Sequence, residues 1–144
     1  MQFSMPLRNA MMSAVNGEPT PKGGVIGDGA MLLMYAGDQI PGNCEESSQG
    51  ILLCAIKLPS PWMSPPRSGA VKMASDWRGQ GLASAGTGTK ATYFRICDRG
   101  GKDCHIQGTI THTTGGGDMT LNNVSIAENQ SVTVTGFNLT AGNA

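Results

Sequence analysis

Three consecutive stretches decide the fold class: residues 90–97 (KATYFRIC), 98–103 (DRGGKD) and 104–112 (CHIQGTITH). The first is rich in the aromatic and β-branched residues that suit a pleated, half-buried surface. The second has aspartate at both ends and two adjacent glycines, a hairpin-turn composition. The third returns with Ile106 and Ile110 an even number of residues apart, so both lie on one face of a strand. Together they predict a β-hairpin.

Working towards the C-terminus, residues 115–117 (GGG) break the second strand. MTLNNVSI at 119–126 and SVTVTGFNLT at 131–140 then predict two more, around the turn AENQ. In the last one, Val132 and Val134 share a parity that Phe137 and Leu139 do not, which predicts a one-residue β-bulge at Gly136. Working towards the N-terminus, AMLLMYA at 30–36 and ILLCAIKL at 51–58 are apolar at every position, so both faces of these strands are expected to be covered. A polar loop, 37–50, separates them. PSPWMSPPRS at 59–68 holds four prolines and excludes a central strand or helix. It reads as a stiff, extended surface segment carrying Trp62. GAVKMAS at 69–75 alternates weakly, Trp77 follows in a polar context, and 79–88 is small and flexible. Six or seven mostly antiparallel strands give an all-β domain, an antiparallel β-sandwich or jelly roll with a short N-terminal helix or arm.

That helix is read from Ser4 as a cap, Pro6 in the first turn and Asn16-Gly17 as the stop. Leu7, Ala10, Met11, Ala14 and Val15 fall on one face. About ten residues are too few for a stable isolated helix, so it must dock, on its own domain in preference to a neighbour. Residues 16–29 are a Gly/Pro-rich joint. The chain divides into an arm and joint, 1–29, and a β-domain, 30–144.

The chain has 144 residues, one domain's worth. Its 21 Gly and 8 Pro make about a fifth of it backbone punctuation, and only 14% of residues are charged against a usual value of about 25%. This excludes coiled coil, collagen and polybasic nucleic-acid arms. No apolar run approaches the roughly 20 residues of a membrane-spanning helix. The net charge is zero but unevenly placed: −3 over 1–56, +6 over 57–102 and −3 over 103–144. Such segregation suits contact with a neighbouring copy or partner.

No cluster has catalytic or cofactor spacing. Cys97, Cys104, His105 and His112 lack the close ligand pair that shapes a zinc site, and Cys104 and His105 point to opposite faces of a strand, so no metal is expected. No G-x-S-x-G elbow appears, and GTGTK at 86–90 lacks phosphate-loop spacing. The basic stretch 57–102 interleaves with Trp62, Trp77, Tyr93 and Phe94, yet its spread and the zero net charge argue against direct nucleic-acid binding. Of the four cysteines, Cys54 reads as a small buried hydrophobe. A bridge between Cys97 and Cys104 across the hairpin is one of the pairings left open. The start, MQFSMPLRN, lacks the apolar core of a secretory signal, and synthesis in a cytosol would keep the thiols reduced.

The order of features resembles a group of short tailed-bacteriophage virion proteins. The matching residues are Arg8-Asn9-Ala10-Met11, LLMYAG at 32–37, ILLCAIKLPSP at 51–61, and Gly88-Thr89 through Arg95 and Asp98. DMTLNNVSI at 118–126 and SVTVTGFNLTAGNA at 131–144 complete the series. The Pro-rich 59–66 and the four cysteines depart from the pattern. The resemblance implies a non-enzymatic structural protein made in the host bacterial cytoplasm and carried on the capsid surface of the virion. It is similar in size and β content to capsid cement or decoration proteins, whose partners are the major capsid protein and copies of themselves, here as dimer or trimer. The alternative is a tail, collar or spike module binding host surface or carbohydrate through exposed Trp62 and Trp77. The candidate interface residues are Leu7, Met11, Met12, Val15, Trp62, Arg67, Lys72 and Trp77.

Overall fold

The predicted hairpin anchors the architecture. In the computed structural model, which describes Ser4, Asn9, residues 11–13 and residues 29–141, β6 (Tyr93–Cys97) and β7 (Cys104–His112) pair antiparallel. Ile96 lies opposite Ile106. Asp98 shapes the turn between them: its Oδ1 accepts from the amides of Lys102 and Asp103 at 3.2 and 3.3 Å.

The other strands are β1 (Met31–Ala36), β2 (Ile51–Lys57), β3 (Ala70–Lys72), β4 (Trp77–Gln80) and β5 (Thr89–Lys90), followed beyond the hairpin by β8 (Met119–Leu121), β9 (Ser125–Ile126) and β10 (Ser131–Thr140). A single 3-10 turn, Ala83–Ala85, follows β4. β5 and β9 form a separate two-stranded ribbon. The main sheet runs β2-β1-β6-β7-β8-β10-β3, and β4 also pairs with β10. β10 carries β8 on one side; on the other it carries β4 along its first half and β3 along its last. β1 lies between β2 and β6, so both of its edges are paired, and Leu32, Met34 and Tyr35 are buried.

The fold is all-β with a short helix, as the sequence predicts. Two features of its connectivity were not legible. First, eight of the ten strands form one curled sheet. Cys54 bridges Gly81 just beyond β4, and the Leu82 amide donates to the Leu53 carbonyl at 2.8 Å, so the ring of pairings meets itself. Second, β7 and β8 pair parallel, with Ile110 opposite Met119. A parallel neighbour normally needs a long crossover. Here Gly115 and Gly117 let the chain double back tightly against Thr111, whose side chain lies 2.5 and 2.8 Å from where their Cβ atoms would stand. The Thr111 hydroxyl accepts from the Gly117 amide at 2.9 Å. Asp118 then clamps the start of β8 to β7, accepting from the Thr109 amide and hydroxyl.

The bulge in β10 is present. Val134 faces Leu121 and Gly136 faces Thr120, leaving Thr135 as the extra residue. Its hydroxyl bonds those of Thr113 and Thr120. The shift of parity turns Val132, Val134 and Phe137 all inward.

The core corrects one expectation. Trp62 and Trp77 are not surface residues: they are 1% and 0% exposed. Their ring centroids lie 5.9 Å apart, and Trp77 also packs on Phe137 at 5.4 Å, which meets Phe94 edge-on. The Pro-rich segment is extended as expected but turns its aromatic inward. An indole of roughly 200 Å² contributes on the order of 5 kcal/mol when taken from water. In a chain with 5% aromatic residues, few other side chains could fill that volume.

Asn9 and residues 11–13 are helical. The Asn9 side-chain oxygen accepts from the buried Gly69 amide at 2.7 Å, and Met12 packs against the core, while Met11 is 41% exposed. Leu7, Val15 and the joint through residue 28 lie outside the described residues.

Candidate interaction surface

The surface begins with a tight turn. Arg67 and Ala70 exchange backbone hydrogen bonds at 2.9 Å each way, across Ser68 and Gly69, which both have positive φ (53° and 72°). That is the twist demanded by the shortest hairpin loops. The turn folds residues 63–67 back along the free side of β3: the Ser64 amide donates to the Lys72 carbonyl at 2.7 Å, and Met63 bridges Met73. The prolines at 61, 65 and 66 leave no amide donors at their positions, which blunts this edge against further strand addition.

A groove of about 600 Å³ opens here between the folded-back segment and β10. Pro65, Ala70 and Val71 contribute apolar surface, and Ser64, Arg67, Lys72 and Asn138 add polar groups. Arg67 and Lys72 are exposed, and neither has an acidic partner among the described residues, where the ion pair found is Arg78–Asp76 at 3.0 Å. The Asn9–Gly69 contact brings the N-terminal helix to the turn that leads into β3. Of the predicted interface residues, the structure thus joins Arg67 and Lys72 in one groove. Met12 is packed on the core, Met11 is open to solvent, and Trp62 and Trp77 belong to the interior.

Sequence reading missed a second feature. Tyr93, Arg95 and Cys97 alternate with the core residues Phe94 and Ile96, so they face away from the core, yet all are buried. The loop 37–50 covers them. Arg95 donates to the Cys44 and Glu46 carbonyls at 2.6 and 2.8 Å. The Tyr93 hydroxyl bonds both the amide and the carbonyl of Gln49, and Gln107 donates to the Pro41 carbonyl at 2.6 Å. Tyr35 stacks on Tyr93 with centroids 5.0 Å apart. Burial raises the Tyr93 pKa, partly offset by the Gln49 hydrogen bond. The β propensity of 90–97 marked the strand, but nothing in the sequence signalled that its second face is covered.

The four cysteines are free thiols, and Cys97 and Cys104, although opposite one another, are not bridged. Cys54 is fully buried, and its thiol donates to the Gln80 carbonyl at 3.3 Å. His105 and His112 are exposed. Among the described residues no group of three or more His, Cys, Asp or Glu is arranged to hold a metal, and no helix is long and apolar enough to cross a membrane. No protein-family model, curated protein or solved structure matches the chain.

Proposed function

We propose that this protein is a non-enzymatic structural component of a bacteriophage virion, a capsid cement or decoration protein that bridges shell subunits. The observation that carries the reading is the groove beside β3, where Arg67 and Lys72 stand unpaired among the described residues on a partly apolar surface. Such a surface contributes by burying apolar area against a neighbour, while its cations select acidic ground and fix register. The order of motifs along the chain supports the virion assignment, and the flanking segments of net −3 make sister copies a source of complementary charge. Added interface free energy would oppose the internal pressure of a filled shell. The alternative as a carbohydrate-binding tail module loses its motive, because both indoles are in the core.

The test is attachment. Purified protein added to shells stripped of it should bind in many copies and raise their resistance to heat. Shells whose thermal stability is the same with and without bound protein overturn the cement reading.

A further inference from the structure

The loop 37–50 and the β6–β7 hairpin border an open cavity of about 530 Å³ whose lining includes Cys44, Arg95, Cys97 and Cys104. Three of the four cysteines of the chain therefore meet at one place, from two distant parts of the sequence, the loop 37–50 and the β6–β7 hairpin. Neither the fold nor the proposed function uses them.

Their environments differ. Cys97 is 3% exposed and sits under the loop, and burial, with Cys104 adding to it, pushes its thiol up to about 12. Cys44 and Cys104 are half-buried and line the same cavity. The Cys104 thiol donates to the Ile106 carbonyl at 3.4 Å. Arg95, 5% exposed, lines the same cavity, and its Nε has no hydrogen-bond partner among the described residues. A buried guanidinium without a carboxylate is costly unless negative charge can gather beside it. Of the three thiols, Cys44 and Cys104 are the ones a reagent can reach, since Cys97 is 3% exposed.

We propose that Cys104 is a peroxide-reactive thiol and Cys44 its resolving partner, together forming a disulfide that fixes the loop 37–50 to β7. The Cys104 thiolate attacks one peroxide oxygen, the O–O bond breaks, and the departing hydroxide takes up a proton and leaves as water. Cys104 is left as a sulfenic acid. The Cys44 sulfur attacks the Cys104 sulfur, the S–O bond breaks, and a second water leaves with the Cys44 proton. Two thiols lose two hydrogens and two electrons, and one peroxide is reduced to two waters. Arg95 serves both partners: it holds the Cys44 backbone by its carbonyl and lines the cavity with Cys104. Cys97 is the rival partner by register, but at 3% exposure it is closed to reagent. This inference is independent of the proposed function.

The experiment uses the reduced full chain with one equivalent of hydrogen peroxide under native conditions, followed by peptide mapping without reductant. The expected product is a linked pair of peptides carrying Cys44 and Cys104, lighter by two hydrogens and restored by a thiol reductant. Hydrogen exchange in residues 43–49 should slow on oxidation. In Cys44→Ser, dimedone should capture a sulfenic acid at Cys104, about tenfold faster than at buried Cys97. Cys97→Ser should still form the bridge. A bridge between Cys97 and Cys104, uniform oxidation of all four cysteines, or no reaction in the wild-type chain would overturn the proposal without recourse to any variant.

Discussion

Cys54 and Gly81 form the antiparallel bridge at which the curled sheet meets itself. Around it the Leu82 amide reaches the Leu53 carbonyl, the Cys54 thiol reaches Gln80, and the Gly81 amide reaches Gln130. Space at this junction is the limiting quantity. A Cβ on Gly81 would stand 1.9 Å from the Ala127 carbonyl oxygen, a backbone atom that cannot rotate aside.

Gly81→Ala should therefore destabilise the domain by about 3 kcal/mol through backbone displacement. Gly100→Ala, in the open hairpin turn where nothing approaches within 3.9 Å, should stay within about 0.5 kcal/mol. Urea denaturation of both variants checks this, and comparable midpoints would mean the junction opens without cost.

Stability should fall at alkaline pH. Burial raises the Cys54 thiol from 9.0 to about 11. Between those values the unfolded chain has released the proton and the folded chain has not. The folded state thus binds more protons, and its stability drops as pH rises from 9.0 towards 11, with no effect below. The loss is on the order of 2 kcal/mol from this group. Cys97, raised by burial to about 12, extends the same decline. Cys54→Ala should cost about 1 kcal/mol near neutrality yet shallow the alkaline decline. Urea midpoints measured across that range decide it; parallel curves for the two proteins would refute the assignment.

Arg95→Met keeps most of the side-chain stem and removes the donors that hold the Cys44 and Glu46 carbonyls. Amide exchange over residues 42–47 should accelerate about tenfold as local opening becomes easier. Global stability should change by less than about 2 kcal/mol, because an apolar replacement leaves no buried unpaired charge. Unchanged exchange would assign the loop's order to its internal turn, where Asn43 accepts from the Glu45 and Glu46 amides.

Arg67→Glu and Lys72→Glu should each weaken attachment to shells or sister copies by about two- to fivefold, the scale of an exposed charge pair. Glu45→Lys, on the distant loop, should not act in the same way. Attachment of the wild-type protein should weaken as salt rises, since exposed pairs are screened over about 8–10 Å. Sedimentation and shell-binding titrations measure both effects, and salt-independent binding would remove Arg67 and Lys72 from the interface.

The indoles offer a direct optical check. With Trp62 and Trp77 both within the core, iodide should barely quench the native emission and should quench it strongly after unfolding. Efficient quenching of the native protein would return one indole to the surface.

Local patterning determined much of this protein. The hairpin at 90–112 follows from β propensity on either side of a Gly-Gly turn, and the bulge from the parity break across Gly136. The apolar runs announced the strands β1 and β2, although their second face is only partly covered, with Leu33 and Ala55 half-buried and Ile51 49% exposed, and Cys54 announced its own burial. All of these depend on neighbours a few residues apart, which is the range over which side-chain alternation and turn geometry act.

What the tertiary structure decided is which distant segments meet. The prolines of 59–68 describe an extended chain, but the direction in which Trp62 points depends on the core space beside Trp77. Closure at Cys54–Gly81 and the meeting of Cys44 with the β6–β7 hairpin join residues through long stretches of chain, whereas the parallel β7–β8 pair and the Arg67–Lys72 groove follow tight turns whose direction depends on what lies beneath them. The entropy of closing such loops varies slowly with length, so the sequence alone does not single out one partner. The partner is set by shape, by the satisfaction of buried hydrogen bonds, and by where a charge such as Arg95 can be accommodated, and these exist only once the sheet has curled.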